Sequence, residues 1–113
     1  MRGDDHEQRA KNLEADAQRL EASGGSGAAI VELLWGAAFH TIAYGCQKKL
    51  GEHKEKHEGL ARFLRDKGEG SVAQEWTTLE QLRQGAFYGH RDDMAVVQSV
   101  RALLLSLRDW ADN

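Results

Sequence analysis

The chain contains no proline. No helix is therefore forced to break, and the 12 glycines must mark the ends of the elements instead. The single cysteine, Cys46, excludes an internal disulfide. Flanked by Gly45 and Gln47 on an otherwise apolar stretch, it reads as a small buried filler. No sign of charge dominates. The formal net charge is −3, so no global basic field announces a nucleic-acid binder. The opening residues, Met1 to Glu7, are charged and hold no signal-peptide core, which predicts a cytoplasmic protein. There is no H-E-x-x-H motif and no Cys/His framework, so no metal or other cofactor is expected.

What is present fits one all-α domain. The 113 residues suit a single modest core, here about residues 10–108. The apolar pattern predicts a five-helix up-and-down bundle without strands. The first helix covers about residues 5–22, with Ala10, Leu13, Ala17 and Leu20 as its stripe. Ser23-Gly24-Gly25-Ser26-Gly27 ends it, and Ser26 is the expected cap of the second helix. That helix, about 28–50, is apolar almost all round. Glu32, His40 and Thr41 interrupt it, so it reads as a buried central helix and no membrane is expected. Gly36 and Gly45 inside it point to close packing against a neighbour. The third helix is expected over about 54–67. The fourth should start at Ser71, where Ser71 and Gln74 form a capping-box pattern, and run to about Gly89 or His90. Asp92 is the expected cap of the fifth, whose face is Val97, Val100, Leu103, Leu104, Leu107 and Trp110.

The fourth helix carries the most informative pattern. Val72, Trp76, Leu79, Arg83, Ala86 and His90 fall on one stripe at helical spacing. Arg83 and His90 are seven positions apart, two turns, and project from one face. A guanidinium on a core-facing stripe is costly unless it is paired or opens into a polar site. The stripe is thus a subunit or binding interface, a site, or both. Histidine exchanges protons near neutral pH, and arginine offers a fork of donors to a phosphate. Together they suit attack on a phosphodiester by the 2′-hydroxyl of RNA. A symmetric dimer would bring two copies of the pair into one cleft. Arg83 is also a candidate partner for Glu32, the only charge within residues 28–47, and such pairing would make it structural.

These residues carry a family resemblance. Arg83 to His90 resembles the R-x4-6-H signature of the HEPN family, named for its occurrence in higher eukaryotes and prokaryotes and for nucleotide binding. Leu34-Trp35-Gly36-Ala37-Ala38-Phe39-His40 looks like that family's central helix. His53 to Leu60 looks like the helix after it, and Phe87-Tyr88-Gly89-His90 like the end of the motif helix. The resemblance implies a bundle that homodimerises and, in many members, a metal-independent endoribonuclease, often the toxin of a toxin–antitoxin pair. Carried over, Arg83 would stabilise the phosphate and His90 would act as general acid and base. The chain departs from the pattern at Gln84, where active members usually carry Asn, Asp or His. It departs again at Asp92, where some toxin members carry a tyrosine modified by a partner nucleotidyltransferase. The alternative is a non-catalytic module that binds a nucleotide or such a partner. A third reading is a plain structural dimer holding a buried Arg83–Glu32 pair.

Further candidates are secondary. Residues 47–67 hold seven Lys/Arg against four acids, a local excess that could meet RNA phosphates. Within it Lys54 and His57 are candidate contacts. His53 and His57 share an H-x3-H spacing, read as an exposed polar helix start rather than a metal pair. Arg91, beside His90, is a further phosphate candidate. His40 reads as a satisfied core histidine that the family pattern keeps as a site candidate. Tyr88 should lie opposite the Arg83 stripe. Trp35, Trp76 and Trp110 read as core or interface anchors.

Overall fold

The computed structural model describes residues 3–52, 56–89 and 93–113. Within them the chain forms five α-helices and no strand: α1 (Gly3–Ala22), α2 (Gly27–Gly45), α3 (Leu60–Asp66), α4 (Gly70–Tyr88) and α5 (Met94–Asp112). A π-helical turn, Cys46–Leu50, continues α2. Helix α2 is central, packing most extensively against α1 and α5 and then against α4. Its apolar circumference explains this position: Ile30, Val31, Leu34, Ala37, Ala38 and Ile42 are all buried. The segment Gly27–Leu50 is long and apolar enough to cross a membrane, but 61% of its apolar window is buried within this fold.

Several ends differ from the sequence expectation. Ser26 does cap α2, its hydroxyl accepting from the Ala29 N–H at 3.2 Å. Ser71 does not cap α4. That helix begins one residue earlier, with Glu69 at the cap position and no side-chain cap bond. The cap of α5 is Asp93, whose carboxylate accepts from the Val96 N–H at 3.1 Å. Asp92, the expected cap, lies outside the described residues. The third helix is much shorter than 54–67. Gly59 adopts φ +70° just before Leu60, a left-handed conformation that helical backbone cannot continue through.

Small residues set the spacing around α2. A Cβ built on Gly45 would stand 2.3 Å from the Trp110 ring, so α5 approaches through that glycine. The ring has little room to give. Its Nε1 donates to Glu69 at 3.0 Å, and the Lys49 ammonium lies over it at 5.7 Å. A Cβ on Gly36 would meet only the tip of Leu13, at 3.2 Å. Charged pairs close the bundle outside this packing: Arg101 donates to Glu21 at 2.6 Å and Arg108 to Glu14, both tying α5 to α1.

Gly45→Ala should therefore lower stability by about 1–3 kcal/mol through overpacking, beyond its gain in helix propensity. Gly36→Ala should stay within about 1 kcal/mol of the parent, because Leu13 can turn aside. Urea unfolding of the two variants checks the contrast, and equal effects would contradict it.

Candidate functional site

The seam between α2 and α4 is built by two helical faces. Glu32, Trp35 and Phe39 recur at three- and four-residue spacing on α2, and Trp76, Leu79, Glu80, Arg83 and Phe87 do so on α4. Trp76 is buried in the core, and its ring lies 5.6 Å from that of Trp35. Trp35 sits at the edge of the core, where Arg83 covers it. The guanidinium carbon stands 3.8 Å from the Trp35 ring centroid. Glu32 fixes the same guanidinium from the side: Nε donates to Oε2 at 2.8 Å and Nη2 to Oε1 at 2.7 Å.

The fork geometry is selected by chemistry. A carboxylate accepts two parallel N–H bonds from a guanidinium, and only arginine among the cations can also stack flat on an indole. The hydrogen bonds to Glu32 first, then the Glu32 charge, raise the Arg83 pKa from its ordinary value, against desolvation. Arg83 is thus a permanent cation in a fixed pose. For partly exposed groups the pair contributes about 1 kcal/mol, and the stacking about as much again. Glu32 and Arg83 do pair, then, but they are not sealed: the Arg83 side chain keeps 31% of its surface exposed. Within one chain the pair is therefore half-buried and open on one side.

Among the described residues the rest of the stripe is used up inside the chain. Val72, Trp76, Leu79 and Ala86 are buried against the chain's own helices, so they are not a face left over for a second subunit. The accessible part of α4 is its flank. There Arg83, Gln84, Phe87 and Tyr88 line an open recess of about 220 Å³. Both aromatic rings are exposed, Tyr88 at 78% and Phe87 at 56%, and they lie 5.4 Å apart. Tyr88 faces solvent, but it does not lie away from Arg83 as its helical position suggests: the two line the same recess.

The other candidates divide. His57 is brought to the same cluster: its ring meets Trp35 edge-on at 5.1 Å, and its Nδ1 is 4.0 Å from Glu80. It lines a groove along α3 and α4 that Arg62, Arg65, Trp76 and Glu80 share. The basic stretch therefore does border the Arg83 seam. His40 belongs elsewhere. Its Nδ1 lies 2.9 Å from Nδ1 of the buried His6, and its ring packs on Phe39 at 5.2 Å. It joins α2 to α1 as a half-buried histidine at the edge of the core. His53, Lys54, His90 and Arg91 lie outside the described residues. No group of three or more potential metal ligands occurs among the described residues.

Sequence reasoning passed over Phe87, Tyr88 and His6 as site residues. The signal for the first two was present: two adjacent large rings at the helix end, off the buried stripe. His6 sits in a charged run, and only tertiary packing brings it to His40.

The His6–His40 contact has a pH consequence. Burial, then His6, then Arg9 push the His40 pKa down from 6.5 to about 4. Below pH 6.5 the unfolded chain takes up a proton that the folded chain refuses, so stability is full above that pH and falls towards pH 4. His40→Gln should flatten this part of the stability–pH curve relative to the parent. Parallel urea titrations between these limits check it, and an unchanged slope would contradict the assignment.

No family model, no curated protein and no solved structure matches this chain. The functional reading rests on its own residues and their arrangement.

Proposed function

We propose that this chain is a HEPN-type helical module that binds single-stranded RNA through Arg83. The observation that carries the reading is the guanidinium itself, held by Glu32, stacked on Trp35 and still open at the wall of a recess. A cation already fixed in place meets a phosphate with little ordering cost. Glu32 takes the Nε–H and one Nη2–H, which leaves the Nη1 hydrogens clear of the carboxylate. Arg62 and Arg65 line the neighbouring groove with His57, and His57 meets the same Trp35 ring as Arg83. These groups would extend the phosphate track along α3. The family resemblance adds a homodimer and a partner nucleotidyltransferase acting as antitoxin.

Metal-independent cleavage is the second reading, and the R-x6-H spacing favours it. The 2′-oxygen would attack phosphorus as His90 takes its proton, the P–O5′ bond would break with that proton returned to the departing 5′-oxygen, and Arg83 would stabilise the charge developing on the phosphate oxygens. Glu32 weighs against it. Its carboxylate offsets the positive charge that Arg83 would offer a transition state, whereas ground-state binding tolerates the loss better.

The test is a labelled single-stranded RNA, in EDTA, with the parent, Arg83→Ala, Glu32→Gln and His90→Ala. The parent should bind, and Arg83→Ala should weaken binding about tenfold or more. Glu32→Gln should tighten binding and steepen its salt dependence, while losing about 1 kcal/mol of stability. His90→Ala should bind as the parent does. A parent that binds no RNA at moderate salt sinks the proposal. Cleavage to 2′,3′-cyclic ends by the parent and not by His90→Ala would put the nuclease reading first.

A further inference from the structure

We infer that Phe87 and Tyr88 form a stacking platform for unpaired bases beside Arg83, so that the ligand is read as an open strand rather than a duplex. The inference rests on the RNA-binding reading above and adds to it the residues that would take the bases.

The observations converge on the flank of α4. Among the described residues the large hydrophobic side chains left exposed are Phe87, Tyr88, Met94 and Leu105. The two aromatic ones are neighbours, and they share one recess with the fixed cation. Burying either ring against the protein's own core would have stabilised the fold, so leaving both in water needs a reason. Their rings are tilted by 57° at 5.4 Å, a separation at which each keeps an open face. Gln84, at the same wall, carries an amide that can both donate to and accept from a base edge.

The chemistry selects one ligand class. A strand approaching this recess meets a guanidinium for phosphate and two aromatic faces for bases within about one and a half turns of helix. Bases reach such faces only when they are unstacked, because paired RNA presents its grooves and backbone instead. A bare anion would use Arg83 and leave the rings idle. An apolar protein surface would use the rings and leave the Arg83 donors facing nothing. Single-stranded RNA uses both.

The experiment uses the full chain and a short fluorescein-labelled 2′-O-methyl oligoribonucleotide of mixed sequence, which lacks the internal nucleophile and cannot be cut. Binding is read by anisotropy for the parent, Phe87→Ala, Tyr88→Ala, Tyr88→Phe and Arg83→Ala. The same series is repeated with an abasic oligomer of equal length and with the annealed duplex. Each alanine change at a ring should weaken binding of the base-bearing strand about tenfold and leave the abasic strand unaffected. Tyr88→Phe should bind as the parent, since the ring and not the hydroxyl stacks. Arg83→Ala should weaken both strands, and the duplex should bind more weakly than the single strand. If ring variants bind the base-bearing strand as well as the parent while Arg83→Ala does not, the platform is overturned and the RNA-binding reading stands. If the parent binds none of the oligomers, both fail. Sedimentation of each variant guards against a change of assembly. A ring variant that loses RNA only as it falls from dimer to monomer would assign the rings to an interface and overturn the platform.

Discussion

The fork between Arg83 and Glu32, closed over the Trp35 ring, is the constraint on which the rest of the seam depends. It places a charge at the boundary of a core that is otherwise apolar. Without Glu32, the guanidinium would be held over the Trp35 ring by stacking, with Glu80 as a weaker counter-charge nearby, and would lose the two bonds that set its rotation. Without Trp35, the carboxylate would have to hold a long side chain by two bonds alone. Each partner supplies what the other lacks, and the outcome is a cation with one orientation. Such a group is ready to meet a phosphate, and it is also partly neutralised before it does so. That combination favours binding over turnover.

The fold serves this seam by keeping α2 close to its neighbours. Its alanines and glycines allow α1 and α5 to approach, and Gly45 gives the Trp110 ring its place. Trp110 in turn reaches Glu69, at the start of α4, through its Nε1. One end of α4 is thereby tied to α5 while the middle is tied to α2 through Arg83. The far end carries the two exposed rings. Core and recess thus share one helix: Val72, Trp76, Leu79 and Ala86 belong to the core, and Arg83, Gln84, Phe87 and Tyr88 line the recess.

Much of this was legible from the residues. The helices follow from the apolar spacing, and the central position of α2 follows from its lack of a polar face. Arg83 drew attention because a guanidinium on a buried stripe needs a partner, and Glu32 was the one charge on the central helix able to be that partner. The close packing at Gly36 and Gly45 was readable for the same kind of reason. Helix ends were less legible. The Ser71 pattern fits a capping box, yet the chain enters α4 at Glu69, beside Trp110, so a tertiary contact outweighs a local one. Gly59 was not read as the start of α3, because spacing alone does not show which glycine takes a positive φ. Periodicity marked the stripe on α4 without saying what buries it: Val72, Trp76, Leu79 and Ala86 turn out to be covered by the chain's own helices, while Arg83 stays open. The His6–His40 contact joins residues 34 apart and has no local signature.

The central claim is that Arg83 is clamped in the free protein and meets RNA from that pose. Its most direct test is the arginine side-chain Nε–H spectrum by nuclear magnetic resonance, with Arg83→Lys supplying the assignment, followed through a titration with short single-stranded RNA. The account predicts an Arg83 resonance displaced by the Trp35 ring current, protected from solvent exchange, and moved further as RNA saturates the chain. An Arg83 resonance at the position of a free arginine would show that no clamp exists. A clamped resonance that saturating RNA leaves unmoved would show that the ligand goes elsewhere.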